Sequence, residues 1–574
     1  MPPLRRRWAE PPVPEPSVVD ALTGALRLPP AVCAVLATRG HEDPEGAKRF
    51  LRPSLEQLHD PAGLADGPAA ARRIARAVAE GETIFVHGDY DVDGICATAV
   101  YTRFLRGLGG TVVPFVPHRL RDGYDFAQAG LHAARRAGAT LVVTADCGTV
   151  ARDTVASARA GGMDVVVTDH HTVGPEAAEA TALVNPQRPD CPYPEKGLCG
   201  AGVAFKTCVL VAREMGADPA PLHALLDLVA LATVADLVPL QGENRILVRF
   251  GLRRFAQTRV AGITALLQAA GVDAPTVNAG QLGFVVAPRI NAAGRVGESA
   301  DALRLLLTDD PTEAAALARA LEEVNRVRKD EDRRTLDEAL ALLESGFDAS
   351  RDYGVVLASE GWHPGVIGIV ASRVVERIHR PTVLVALDGG MGRGSARSIP
   401  GFHLYEALLA CRSHLGRFGG HRQAAGMDVA RDALPAFREA FNAEAHARLA
   451  EDDLQPLLRP DLELSLAEAD LDLVHWLAYL GPHGIGNPRP LFLARGVALE
   501  GPRRVGDTHL KVSLADGPAR LDAIGFGLAE RFPPESLGPG PYDVLVKLER
   551  NEWRGVARPQ AQIVDVRPGG EGPA

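Results

Sequence analysis

Asp89, Asp91 and Asp93 alternate through the run His87-Gly88-Asp89-Tyr90-Asp91-Val92-Asp93-Gly94, directly after the apolar stretch Thr83-Ile84-Phe85-Val86. Carboxylates packed this closely repel by about 4 kcal/mol per pair at about 4 Å and an effective dielectric near 20, unless protons or a cation neutralise them. Hard oxygen ligands suit Mg2+ or Mn2+, and an added imidazole favours Mn2+. The triplet predicts a divalent-metal loop at the end of a buried strand.

Three later segments repeat an apolar run followed by a ligand type. Thr140–Ala145 leads to Asp146, Val165–Thr168 leads to Asp169-His170-His171, and Leu228–Ala235 leads to Asp236. One Asp after a strand is commonly a helix cap or turn residue. Four such endings together predict one site. In a doubly wound parallel sheet, ligands gather in the crevice beyond the carboxyl ends of the strands, and all four runs are expected to be strands of that sheet.

The motifs Gly88–Gly94, Ala145-Asp146-Cys147-Gly148, Asp169-His170-His171 and Ala235-Asp236 resemble those of the DHH phosphoesterases. Ala287–Arg295 (APRINAAGR), Gly392–Ser398 (GRGSARS) and Gly419-Gly420-His421 resemble the bacterial RecJ-like exonucleases of the DHH/DHHA1 superfamily, over roughly residues 45 to 565. The resemblance implies two α/β lobes, a DHH parallel-sheet domain and a DHHA1 domain, joined by a long helix and followed by a C-terminal OB-type β-barrel. It further implies a single-stranded-DNA-specific 5′-to-3′ exonuclease that releases 5′ mononucleotides in DNA recombination and repair.

Two divalent ions, Mn2+ or Mg2+, that share a carboxylate suit phosphodiester hydrolysis. Asp146 is the expected bridge. Asp93, His170 and Asp236 would join it on one ion, and Asp89 and Asp91 on the other. His87 is an additional ligand candidate, with a strand-end structural His as the alternative. His171 is expected to contact the scissile phosphate or protonate the leaving group, and Asp169 to orient an imidazole. Arg295, Asn291 and Arg289 in the APRINAAGR run are candidates for the phosphate. The resemblance places Arg119 near the 5′ end of the substrate. Asp125 stands where that family commonly has Gly, which predicts a changed local loop.

Positioning these residues takes several domains, and 574 residues are too many for one core. The expected boundaries are a loose proline-punctuated lead-in at 1–60, the catalytic domain with its helical closing region at 61–308, a connector helix at 309–346, a DHHA1 domain at 347–452 and the barrel at 453–574. Helices are predicted at 69–79, 95–107, 128–137 and 151–160. The connector starts at Asp310-Pro311 with an N-cap candidate and Pro at the first helical position. Its apolar stripe breaks at the charged run Arg326–Arg334, which suits a helix that crosses a gap with solvated charge.

In the second lobe, a strand at 381–386 feeds a glycine-rich turn in which Arg393, Ser395 and Arg397 offer donors to a phosphate. Gly419, Gly420 and His421 add to that surface. The barrel would grip single-stranded DNA, with Trp553 as a stacking candidate against the alternative of a partly buried structural Trp. Exclusion of duplex would be steric, because only an unpaired strand threads a narrow passage.

Net charge is −10, which speaks to solubility rather than to a local phosphate-binding stripe. Only six of 62 basic residues are Lys, so 56 are Arg, the better phosphate gripper. Seven scattered Cys without a CxxC pair argue for a reducing compartment and against zinc or disulfide scaffolds. No 18-residue apolar run and no apolar stretch behind Arg5-Arg6-Arg7 appear, so a cytoplasmic protein without membrane contact is expected.

The expected partners are single-stranded DNA, a single-strand-binding protein and a helicase, with the chain itself a monomer. Two other readings stay open. An oligoribonuclease or phosphoadenosine phosphatase shares the metal motifs without needing the terminal barrel, and an inactive replication scaffold typically loses the acidic ligands.

Overall fold

The structure is a computed structural model that describes residues 4–119, 121–123, 125–174 and 176–570. Tyr124, beside the Asp125 departure, lies outside these residues. The chain forms two units. One holds residues 48–327 and 479–489, and the other holds the residues up to 47, 328–478 and those from 490 onward.

The first unit is built on a five-stranded parallel sheet in the order Thr111–Phe115, Thr83–Gly88, Leu141–Ala145, Asp164–Thr168, Ala182–Val184. Its strands are apolar without alternation because both faces are covered. Ile84, Val86, Leu141, Val143 and Val166 enter one core with residues of the helices Gly67–Ala79, Val92–Gly107 and Gly200–Glu214. Phe85, Val142, Val165 and Val167 enter a second core with Phe126, Leu131 and Val155. Chain direction across the sheet reverses between Thr83–Gly88 and Leu141–Ala145, which opens a crevice at their carboxyl ends.

The fourth apolar run departs from expectation. Leu226–Ala235 is a buried helix, and Asp236 is its C-cap. A short run that is apolar throughout carries no period, so a buried strand and a buried helix read alike. The remainder of the unit is helical, including Ala261–Ala270, a π-turn at Leu282–Val286, Ala287–Val296 and Ser299–Leu307.

A 36-residue helix, Pro311–Gly346, follows. Ala314, Ala318 and Leu321 join the first unit's core, while Ala339 and Leu343 join an apolar cluster of the second. Its polar middle is not the solvated crossing that the charge pattern suggests. Arg328, Asp332 and Thr335 are buried, with Arg328 3.4 Å and Arg373 3.0 Å from Asp332. Mutual pairing allows these charges to be buried. Arg326 does stay exposed, paired with Glu323.

The second unit contains a five-stranded sheet in the order Phe418–Gly420, Ala424–Ala430, Met391–Arg397, Thr382–Asp388, Val355–Ser359. Along Thr382–Asp388, Val383 and Val385 face one apolar cluster and Leu384 and Ala386 the other, so helices pack on both sides. Further on, Phe492–Val505, His509–Asp516, Ala519–Gly525, Val556–Pro568 and Tyr542–Trp553 pair in that order, and Tyr542–Trp553 pairs back with Phe492–Val505 to close a five-stranded barrel.

The lead-in is not loose. Pro16, Pro30 and Pro44 begin helices, where a missing N–H costs nothing. Arg7-Trp8 pairs with Leu457-Leu458, and Trp8 Nε1 donates to Asp565 Oδ2 at 2.9 Å while its ring packs with Leu491, Leu493 and Leu545. All seven Cys are buried and unbridged. No helix among the described residues is long and apolar enough to cross a membrane.

Candidate metal centre and nucleic-acid surfaces

The crevice of the parallel sheet collects the predicted ligands. Asp89 follows Thr83–Gly88, Asp146 follows Leu141–Ala145, and Asp169-His170-His171 follows Asp164–Thr168. Ligand atoms of Asp89, Asp91 and Asp146 lie within 4.8 Å of one another, as do those of Asp93, His170 and Asp236 and those of Asp146, His170 and His171. His170 Nε2 is 3.0 Å from Asp146 Oδ1 and 3.6 Å from both Asp93 Oδ2 and Asp236 Oδ2. Asp146 therefore touches both halves of the cluster.

Backbone amides hold several of these carboxylates. Asp91 caps the helix Val92–Gly107, accepting from the Asp93 and Gly94 amides at 3.0 and 3.1 Å. Asp93 accepts from Gly200 and Ala201 at 2.6 and 2.7 Å, at the N-terminus of Gly200–Glu214, where the helix dipole favours a negative charge. Asp146 sits at φ 69°, a left-handed backbone uncommon for a non-glycine residue. Gly200 has no room for a side chain, because a Cβ there would stand 2.6 Å from Asp146 Oδ1.

The electrostatics call for a cation. Burial, then the charges of Asp93, Asp91, Asp236 and Asp89, push the Asp146 carboxyl far above its usual range. Burial and the Asp91 charge do the same to Asp89, and burial with neighbouring aspartates raises Asp93 and Asp236. Burial lowers His170, favouring a neutral imidazole, the form that ligates metal. Asp89 Oδ1, Asp146 Oδ1 and His170 Nε2 are buried without a hydrogen-bond partner. Each such atom costs about 1–3 kcal/mol. Divalent ions would satisfy all three, so the residues fit a pair of them.

His171 differs from His170. Its Nδ1 is 2.8 Å from Asp169 Oδ1, and that carboxylate also accepts from the amides of His170, His171 and Thr149. Burial disfavours the imidazolium, but the Asp169 bond and charge outweigh it and lift His171 to about 9. Burial opposes ionisation of Asp169 too, yet its bonds to His171 and Thr149 hold it well below the ordinary range.

Two predicted site residues are corrected. His87 Nε2 is also buried without a hydrogen-bond partner, but the ring is packed among Phe85, Phe115 and Phe126, with Nδ1 3.6 Å from Cys147 Sγ, and it belongs to none of the ligand groups. Burial drives it down to about 4, as expected of a packed neutral ring. Arg289 is 7% exposed and engages Glu322 and the Val285 carbonyl, so it ties helices together instead of reaching for phosphate.

Asn291 Oδ1 accepts from the Val92 amide at 3.2 Å, steadying the metal loop. Arg295 occupies the last turn of the same helix and acts electrostatically on Tyr90. The guanidinium of Arg119 lies 5.2 Å from the Tyr90 ring centroid. Sequence reasoning missed Gly200 and Asn185. Asn185 donates to Thr149 Oγ1 and the His171 carbonyl, and it follows Ala182-Leu183-Val184, the strand-then-polar signal used for the other ligands.

In the second unit, the GRGSAR run is a strand and not a turn. Gly392 and Gly394 are there for packing, because a Cβ would meet Val385 Cγ1 at 2.5 Å and Met427 Cγ at 2.8 Å. Arg393, Ser395 and Arg397 alternate onto the opposite face. Ser395 pairs with Gly426 and Gly426 with Gly419, so the two glycine motifs form one row across the sheet. Ser395 Oγ and Arg397 also stand 2.9 Å from where a Cβ of Gly368 would be, beside the start of the helix Ile367–Ile378. Gly420 ends its strand and His421 follows in an exposed turn. Trp553 is 72% exposed at the tip of the Tyr542–Trp553 hairpin, which sets aside the buried structural alternative.

A model of the DHH family N-terminal domain matches residues 83–233, one of the DHHA1 domain matches 352–447, and one of the RecJ OB domain matches 460–565. The chain is 36% identical over 558 residues to the single-stranded-DNA-specific exonuclease RecJ of Bacillus subtilis, covering 96% of this chain and 70% of that protein. It is 36% identical over 563 residues to the RecJ of Escherichia coli, covering 94% and 96%. The crystal structure of Thermus thermophilus RecJ with Mn2+ superposes with a TM-score of 0.85 at 34% identity, covering 99% of this chain and 80% of that one. The same protein with Mg2+ gives 0.79 at 33%, covering 99% and 79%.

Proposed function

The chain belongs to the RecJ family of single-stranded-DNA-specific exonucleases, and we propose that Asp146 is the shared ligand of a two-ion centre that hydrolyses single-stranded DNA from its 5′ end to 5′ mononucleotides. The enzyme is a DNA-degrading hydrolase of recombination and repair, and its cofactor is Mn2+ or Mg2+. The observation that carries the two-ion reading is the trio of buried, partnerless ligand atoms on Asp89, Asp146 and His170.

Asp89 and Asp91 would hold one ion and Asp93, His170 and Asp236 the other, with Asp146 available to both. Bound there, such ions would supply Lewis acidity for phosphodiester hydrolysis. The chain's own groups do the rest. His171, held by Asp169, is placed to donate to the leaving oxygen. Arg119 and Arg295 supply positive charge for the phosphate, and Asn291 keeps the metal loop in register. Asp236 closes the cluster from the helix C-terminus.

In the second unit, Arg393, Ser395, Arg397, Gly419, Gly420 and His421 take the DNA backbone, and Trp553 stacks a base. The reading extends to a cytoplasmic monomer working beside a helicase and a single-strand-binding protein, which rests on the family resemblance. The domain limits 61–308, 309–346, 347–452 and 453–574 belong to the same reading, with the N-terminal segment now assigned to the barrel side through Trp8.

Digestion of 5′-labelled and 3′-labelled single strands with Mn2+, beside duplex and very short oligonucleotides, tests the substrate and the polarity. Release of label first from the 5′ end, with duplex spared, is expected. Preference for dinucleotides over long strands would favour the short-substrate phosphatase instead.

A further inference from the structure

Resting on the reading of Asp146 as the shared ligand, we infer that Asp125 is a positioning residue that locks the turn carrying Asp146 and fastens it to the loop carrying Arg119. Asp146 leaves its strand with φ 69°, and Gly148 follows at φ 107°. Such a turn keeps one shape only if its amides are bonded from outside. Three of them are: the Asp146 amide donates to the Thr168 carbonyl at 3.0 Å, the Thr149 amide to Asp169 Oδ2 at 3.0 Å, and the Gly148 amide to Asp125 Oδ1 at 2.6 Å. Two carboxylates therefore brace the turn. Asp169 is also the partner of His171, whereas Asp125 spends Oδ1 on backbone amides.

Asp125 accepts in addition from the Phe126 amide at 2.8 Å and is itself left-handed, at φ 71°. Asp and Asn tolerate that region better than other non-glycine residues. The position thus combines a backbone shape that glycine would adopt freely with an acceptor that glycine lacks. The same loop carries Arg119, stacked near Tyr90, and its first turn is closed by Asp122 Oδ2 on the His118 amide at 2.8 Å. One segment accordingly touches the DxDxD loop through Arg119 and the bridging-ligand turn through Asp125. Binding of a phosphate by Arg119 and placement of Asp146 become mechanically linked.

Two substitutions separate the carboxyl oxygen from the backbone shape. Asp125→Gly keeps the left-handed backbone without strain and removes the acceptor, while Asp125→Asn keeps both the shape and Oδ1. Mn2+ binding is measured by calorimetry on the full chain without DNA, alongside the Mn2+ dependence of kcat and the KM for single strands. Asp125→Gly is expected to weaken Mn2+ binding about tenfold, to lower kcat, and to raise KM. Asp125→Asn should restore all three to within a few-fold of the parent.

Parent-like Mn2+ binding by Asp125→Gly would overturn the inference, as would equal defects in the Gly and Asn variants. A parent chain that binds no Mn2+ would instead sink the metal-centre reading itself, so the two failures are distinguishable.

Discussion

His170 Nε2 and Asp146 Oδ1 stand 3.0 Å apart, yet neither atom has a hydrogen-bond partner. Adjacent ligands of an octahedral ion at 2.0–2.1 Å are about 3 Å apart. The 3.0 Å spacing is compatible with two ligands of one ion, and both atoms are left for such an ion to satisfy. Asp89 Oδ1, also partnerless, marks the other side of Asp146.

Metal removal should make stability depend on pH with a definite sign. Native Asp89, Asp146 and Asp236 hold protons well above the ordinary carboxyl range, and native His171 holds its own to about 9. Between pH 7 and 9 the unfolded chain binds fewer protons than the native one, so stability falls as pH rises. In chelator, the melting temperature is expected to drop across that interval, and Mn2+ at pH 8 to raise it. A melting temperature that climbs toward pH 9 without metal would contradict this.

His171→Ala should lower kcat by about 10²–10⁴-fold, the usual range for a general acid, while single strands still bind. Single-turnover digestion beside fluorescence anisotropy separates the two effects. Unchanged kcat would remove His171 from the chemistry.

His87→Leu should leave the Mn2+ stoichiometry untouched, because the ring lies among Phe85, Phe115 and Phe126 and outside the ligand groups. Loss of a bound ion in calorimetry would restore it as a ligand.

The contrast between His87 and Asp89 marks the limit of what the sequence reveals. Carboxylates after apolar runs suggest a metal site because their repulsion must be relieved, and the clustering of Asp89, Asp91, Asp93, Asp146 and His170 was legible on that ground. His87 has the right chemistry, but its direction is set by Phe126 and by Gly130, whose missing Cβ makes room for the ring. Asp236 joins the cluster from a helix and not from the expected strand, since a buried helix and a buried strand share an apolar alphabet. Gly200 was invisible, because its requirement is a distance to Asp146 across 54 positions of chain. The GRGSAR glycines suggested a loop, whereas Met427 and Val385 demand them in a strand.

Trp553→Ala should weaken single-strand binding by about 1–3 kcal/mol, the value of one base–aromatic stack, with little change in melting temperature because the ring is exposed. Anisotropy titration with a labelled oligonucleotide measures it. Unaltered affinity would take the hairpin tip out of the DNA path.

The most direct test of the two-ion account is Mn2+ calorimetry on the parent chain and on Asp146→Asn, paired with single-strand digestion by the same samples. The parent should bind two ions. The variant should lose at least one, and its kcat should fall by roughly 10³-fold, about 4 kcal/mol of lost transition-state stabilisation. Two ions bound at parental affinity by Asp146→Asn, with digestion sustained, would contradict the account.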